Sequence, residues 1–126
     1  MKFVERKIIF HGSHFVDFYL EQTTKVQEKI EFVFHIIKRV ERVSKKFLSP
    51  MENTDGLFEI RVEYGSNVYR IFCCFDEGRI VVLFNAFQKK TQKTPQKEIE
   101  KALRLKREYF ELQKTQENEK RSNKKR

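Results

Sequence analysis

The residues of this chain best suited to chemistry are cations. Arg61 and Arg70 sit in two runs rich in apolar residues, and Lys89, Lys90 and Lys93 follow a third. Alternation within Leu57 to Tyr64 puts Glu59, Arg61 and Glu63 on one side of a strand, with Phe58, Ile60, Val62 and Tyr64 on the other. Arg70 is the only charged residue between Val68 and Phe75. If these runs pair as hairpins, Arg61 comes near Arg70 and the segment from Gln88 to Lys93 closes one end of the sheet. Fixed cations around a concavity suit phosphoryl transfer on RNA, in which a 2′-hydroxyl attacks its own phosphodiester and charge grows on the non-bridging oxygens. The same residues also suit a solvated salt-bridge face, and that reading requires no function.

Other catalytic signatures are missing. The chain has no Gly-rich phosphate loop, no H-E-x-x-H, no G-x-S-x-G and no C-x-x-C. His11 and His14 are three residues apart without a third ligand, a pattern more typical of a capping or surface feature than of a metal site. His35 has no partner that the sequence assigns. Cys73 and Cys74 are adjacent, so in a strand they point to opposite faces, which favours packed reduced thiols over a disulfide. No metal and no cofactor is expected.

The elements that must position the cations follow from periodicity. Leu57 to Tyr64, Val68 to Phe75 and Arg79 to Phe87 are rich in β-branched and aromatic residues and are separated by Gly65-Ser66-Asn67 and Asp76-Glu77-Gly78, which predicts an antiparallel meander. Before it, Lys2 to Phe10 reads as a strand ending at His11-Gly12-Ser13, and Ser13 is placed to cap a short helix carrying Phe15, Phe18 and Tyr19. Val26, Ile30, Val33, Ile37 and Val40 recur at intervals of three and four, which predicts a long amphipathic helix from Thr24 to about Phe47, broken at Ser49-Pro50. Met51 to Gly56 reads as a polar loop. After Thr94-Pro95, a cap followed by an N1 proline, Ile99, Ala102, Leu103, Lys106, Tyr109 and Phe110 form the stripe of a closing helix. The expected architecture is α+β, in the order β-α-α-β-β-β-α, with helices packed on a curved antiparallel sheet.

At 126 residues the chain has room for one domain with a core. Lys and Arg total 27 against 18 Asp and Glu, for a net charge of +9. Residues 113–126 carry six Lys or Arg, two Glu and no apolar side chain, so that segment is expected to be a frayed, mobile tail following a domain over 1–112. The body without the tail is still basic. Such a charge balance is the electrostatic footprint of a polyanion partner, although it also serves solubility. No apolar run approaches the roughly 20 residues needed to span a bilayer. Lys2, Glu5 and Arg6 place charge too early for a secretory signal, so a cytoplasmic protein without a membrane partner is expected.

Several of these segments together carry a resemblance. Gly56-Leu57-Phe58-Glu59-Ile60-Arg61, Tyr69-Arg70-Ile71-Phe72, the run from Val82 to Pro95, and Glu98-Ile99 with Ala102 resemble the HigB-type, phage-derived branch of the RelE/ParE toxin superfamily. The likeness is close from Gly56 to Ala102, and elsewhere extends to the order and length of elements. It implies a RelE-like fold and a type II toxin, a ribosome-dependent endoribonuclease that cuts messenger RNA. It also implies neutralisation by a cognate antitoxin, expected to be a helix-turn-helix protein. Carried over residue by residue, Arg61 and Arg70 match basic strand positions and Lys90 matches the basic residue after the last strand.

On this resemblance the catalytic candidates are Arg61, Arg70, Lys90 and Glu59, with Lys89 and Lys93 binding RNA. Arg61 and Arg70 would hold the scissile phosphate, Lys89 or Lys90 would contact flanking backbone or protonate the leaving 5′-oxygen, and Glu59 would act as base or orient Arg61. RelE has a lysine where Glu59 stands, whereas an acidic residue is usual in the HigB-like branch. The Thr94-Pro95 region does not supply the C-terminal tyrosine that RelE uses. Two other readings stay open: a non-catalytic RNA- or ribosome-binding module, and a ParE-like toxin acting on a protein such as gyrase. The antitoxin is expected to mask Arg61, Arg70 and Lys90, with docking on the helix around Val26 to Val40 as the alternative.

Overall fold

The computed structural model describes residues 2–91 and 93–124. In chain order the elements are β1 (Lys7–Phe10), α1 (His14–Leu20), α2 (Thr24–Arg39), β2 (Leu48–Pro50), β3 (Phe58–Tyr64), β4 (Asn67–Asp76), β5 (Ile80–Lys89) and α3 (Gln96–Lys124). The strands form one five-stranded sheet in the order β1-β5-β4-β3-β2. This is the expected α+β architecture, and β3, β4 and β5 form the predicted meander.

The sheet is mixed rather than wholly antiparallel, because β1 pairs parallel with β5, Lys7 opposite Ile80 and Phe10 opposite Leu83. From β1 the chain crosses one face as α1 and α2 and re-enters the sheet at the far edge as β2, where the sequence predicts only a helix break at Ser49-Pro50. Helices cover both faces. Phe15, Val26, Ile30, Val33, Phe34 and Ile37 of α1 and α2 bury Ile60, Val62, Ile71, Cys73 and Leu83. On the opposite face Ala102, Leu105 and Tyr109 of α3 bury Phe72, Cys74, Val82 and Phe84. Cys73 and Cys74 therefore belong to different cores, both as buried free thiols, and burial pushes both up, Cys74 to about 11.

Two helix boundaries differ from expectation. The second helix stops at Arg39 instead of near Phe47. Its last carbonyls are captured from the N-terminal segment, where the Arg6 guanidinium donates to the oxygens of Ile37 and Val40 at 2.9 and 2.6 Å, and Val4 N–H donates to Arg39 O at 2.8 Å. The last helix does not end with its apolar stripe. It continues without a break across Leu112 to Lys124, so Gln113 to Lys124, expected as a frayed tail, is helical, in keeping with its Lys, Glu, Gln and Arg content. Lys125 and Arg126, also assigned to that tail, lie outside the described residues, as does Gln92. No helix is long and apolar enough to cross a membrane among the described residues.

Candidate nucleic-acid interface

The sheet face under α3 is covered only part of the way. Near the β3–β4 turn, where α3 has not yet begun, the same face carries Arg61, Arg70 and Lys89 in neighbouring strands. Arg61 stands directly opposite Arg70, and Val68 opposite Lys89. Lys89 owes its place to an irregularity. Between Ile71 and Cys73 the register with β5 slips, so that Phe84 and Asn85 together oppose Phe72. Val82 and Phe84 face α3 before the slip and Phe87 does so after it, whereas strict alternation would have brought Ala86 there and then Lys90. The bulge thus turns Lys89 onto the arginine face.

Arg61, Ser66, Val68, Lys89, Lys90 and Thr91 line an open cleft of about 420 Å³. Arg61 is about one-third exposed and its Nε donates to Glu63 Oε1 at 2.8 Å, on the rim. Arg70 is placed differently. Only 12% of its side chain is exposed, its Nη1 donates to Glu59 Oε1 at 2.5 Å and to Thr94 Oγ1 at 3.0 Å, and it is not part of the cleft lining. Its Nε is buried without a hydrogen-bond partner among the described residues. Glu59 is equally covered. The carboxylate therefore fixes Arg70, not Arg61. Partial burial, Arg70 and Arg61 hold the Lys89 ammonium below the usual lysine range, with Glu59 pulling the other way.

Of the six residues singled out from sequence, Arg61, Lys89 and Lys90 meet at the cleft, Arg70 and Glu59 form the buried pair behind it, and Lys93 is exposed on the loop leading to α3 without lining it. Three further residues matter. Ser66 contributes a hydroxyl from the β3–β4 turn. Thr94, expected to cap α3, instead presents its hydroxyl to Arg70 and so ties the basic loop to the sheet. Asn85 is 1% exposed and its Nδ2 donates at 3.0 Å to both the backbone oxygen and Oε1 of Glu98, pinning the start of α3. Its signal in the sequence is a lone amide within the apolar run Val81 to Phe87.

The family model of the phage-derived Gp49-like protein (DUF891) matches residues 17–107, a span that includes every residue of the cleft and of the buried pair. The chain belongs to that family. The Gp49-like family lies in the RelE/HigB-like toxin-antitoxin superfamily, which supports a toxin role and an antitoxin partner. No curated protein matches the chain. Within this Gp49-like domain the cleft can hold an anion between one arginine and two lysines while a second arginine stays locked behind them.

Proposed function

We propose that this Gp49-like chain is the toxin of a type II pair and acts as a ribosome-dependent endoribonuclease on messenger RNA. The observation that carries the reading is the meeting of Arg61, Lys89 and Lys90 around one open cleft, with Arg70 held behind by Glu59 and Thr94. A phosphodiester seated there places its non-bridging oxygens against Arg61 and Lys90. The 2′-hydroxyl attacks the adjacent phosphorus, its proton passes to water, and the bond from phosphorus to the 5′-oxygen breaks. Lys89 in its ammonium form donates a proton to that leaving oxygen, and a 2′,3′-cyclic phosphate and a 5′-hydroxyl result.

Lys89 suits the proton transfer because its ammonium is a stronger acid than that of an ordinary lysine. Glu59 and Arg70 serve as positioning residues for the cationic wall. An antitoxin neutralises the toxin by covering Arg61 and Lys90, since an acidic segment there complements the charge and removes access to RNA.

Induced expression with mapping of messenger RNA 5′ ends tests the reading. New ends that appear with the wild type and disappear with Lys89→Gln support it. Growth arrest without new ends overturns it, and arrest accompanied by altered DNA supercoiling points to a gyrase-directed toxin.

A further inference from the structure

About three turns of α3 have no role in the site above. Up to Phe110 the helix is held to the sheet through Ile99, Ala102, Leu105 and Tyr109. After Leu112 the sequence offers no apolar side chain, and Lys114 to Ser122 are all exposed. Helices in proteins draw most of their stability from a packed apolar face, which this extension lacks.

It also points away from the cleft. Gln96 starts α3 shortly after the cleft-lining Thr91, whereas the Tyr109 hydroxyl donates to Asp76 at the opposite end of β4, at 2.7 Å. With a rise of about 1.5 Å per residue, Lys114 lies about 27 Å along the axis from Gln96. Arg107, Lys114 and Arg121 recur at heptad spacing, so they share one face at intervals of about 10 Å. All three are exposed. Arg107 and Arg121 form no ion pair among the described residues, and Lys114 meets only Glu111, at 4.0 Å. Glu111 and Glu117 lie on the same face between the cations, and Lys120, three residues after Glu117, offsets the second of them. The family match ends at residue 107, so most of this stripe lies in chain beyond the shared domain.

We infer that the Arg107, Lys114 and Arg121 face is a second RNA-binding surface, which grips the phosphate backbone of a duplex at the end of the molecule opposite the cleft. A folded protein partner would need an apolar centre to bury, and this face has none. A phosphate backbone needs only spaced cations. The inference takes RNA as its polyanion from the function proposed above, but it does not depend on cleavage.

The test uses the full chain and a fluorescently labelled RNA duplex as probe, with anisotropy titrations over a salt series. Replacing all three cations, by Arg107→Gln, Lys114→Gln and Arg121→Gln, should weaken binding about tenfold or more and reduce the slope of log K against log salt by about 2 to 3. The charge-preserving set Arg107→Lys, Lys114→Arg and Arg121→Lys should bind as wild type. Unchanged affinity and slope in the glutamine variant would overturn the inference, as would a loss of binding to polyglutamate with duplex binding intact. If Lys89→Gln leaves messenger RNA ends unaltered while the glutamine triple still loses the duplex, the nuclease reading fails and this surface stands.

Discussion

Arg61 and Arg70 stand opposite each other across the β3–β4 ladder, yet their guanidiniums have separate acids in separate environments. Arg70 is held by Glu59 with both side chains about nine-tenths covered, whereas Arg61 meets Glu63 at the solvent-exposed rim. Two like charges directly opposite destabilise a hairpin, and the paired carboxylates offset this. The difference in burial decides which cation is available. An exposed pair of the Arg61 kind is worth about 0 to 1 kcal/mol and yields readily to a phosphate. Removing one partner of a buried pair costs about 3 to 5 kcal/mol, so Arg70 keeps its carboxylate.

Arg70→Ala should therefore behave first as a stability variant. It strands Glu59 in a covered position and removes the donor to Thr94. A loss of about 3 kcal/mol in denaturant unfolding is expected. Glu59→Gln combined with Arg70→Ala should recover part of it, because no buried charge is left alone. Unfolding midpoints of the single and double variants check this, and strictly additive losses would contradict the pairing.

Glu63 competes with RNA for Arg61, so Glu63→Gln should raise affinity for a short RNA by a few-fold at low salt, an effect of about 1 kcal/mol or less. Stability should change by no more than about 0.5 kcal/mol, since Glu63 is exposed. Arg61→Gln should lower affinity with equally little effect on folding. Anisotropy titration of both variants gives the comparison, and equal affinities would rule out Arg61 as a ligand.

The lowered pKa of Lys89 sets a pH dependence of definite sign. Burial and the two arginines disfavour its charged form in the fold, relative to the ordinary value of 10.5. Below the folded-state value both folded and unfolded chains hold the proton and the penalty is fully present. Between that value and 10.5 the unfolded chain binds more protons, so this residue's contribution to stability rises with pH. RNA binding moves the other way: a phosphate needs the ammonium, so affinity should fall on the alkaline side earlier than for a free lysine. Lys89→Arg should abolish that alkaline loss while keeping affinity at neutral pH. If the nuclease reading holds, the same variant should lose cleavage by about 10²-fold or more, because a guanidinium does not give up its proton. An alkaline affinity profile unaltered by Lys89→Arg would exclude this lysine as the titrating ligand.

How much of this was legible in the sequence depended on the range of the interaction concerned. Alternation in β3 placed Glu59, Arg61 and Glu63 on one face, and two short turns fixed the meander that set Arg61 against Arg70. The end of α2 was hidden because Val40, Val43 and Phe47 continue the helical spacing. Val43 and Phe47 still pack on the core from a segment of bends and a turn, and the groups that stop the helix come from Arg6 and Val4, more than thirty residues away. The parallel β1 pairing is equally non-local. Spacing of i, i+2 puts Arg61 on the same face as Glu59 and favours it as the partner, whereas the cross-strand diagonal to Arg70 is the contact made. No local pattern announces the β5 bulge, which decides that Lys89 joins the arginines.

That bulge also creates the last testable dependence. It turns Asn85 so that Nδ2 spans Glu98 O and Oε1, both at 3.0 Å, at the first turn of α3, immediately after the loop that contributes Lys90 and Thr91 to the cleft. Asn85→Ala removes both hydrogen bonds from a buried site and leaves a small void, for an expected loss of about 2 kcal/mol. The damage should be one-sided. Tyr109 still anchors the other end of the packed helix through Asp76, so hydrogen exchange should quicken in the first two turns of α3 and stay slow around Leu105 to Tyr109. RNA affinity should fall along with it, because the loop carrying Lys90 loses one of its two fixed ends. Asn85→Asp keeps the volume but replaces the donor with an acceptor facing Glu98, and should be no better than alanine. Uniform quickening along the whole helix, or wild-type protection at its start, would show that Asn85 is not the clamp.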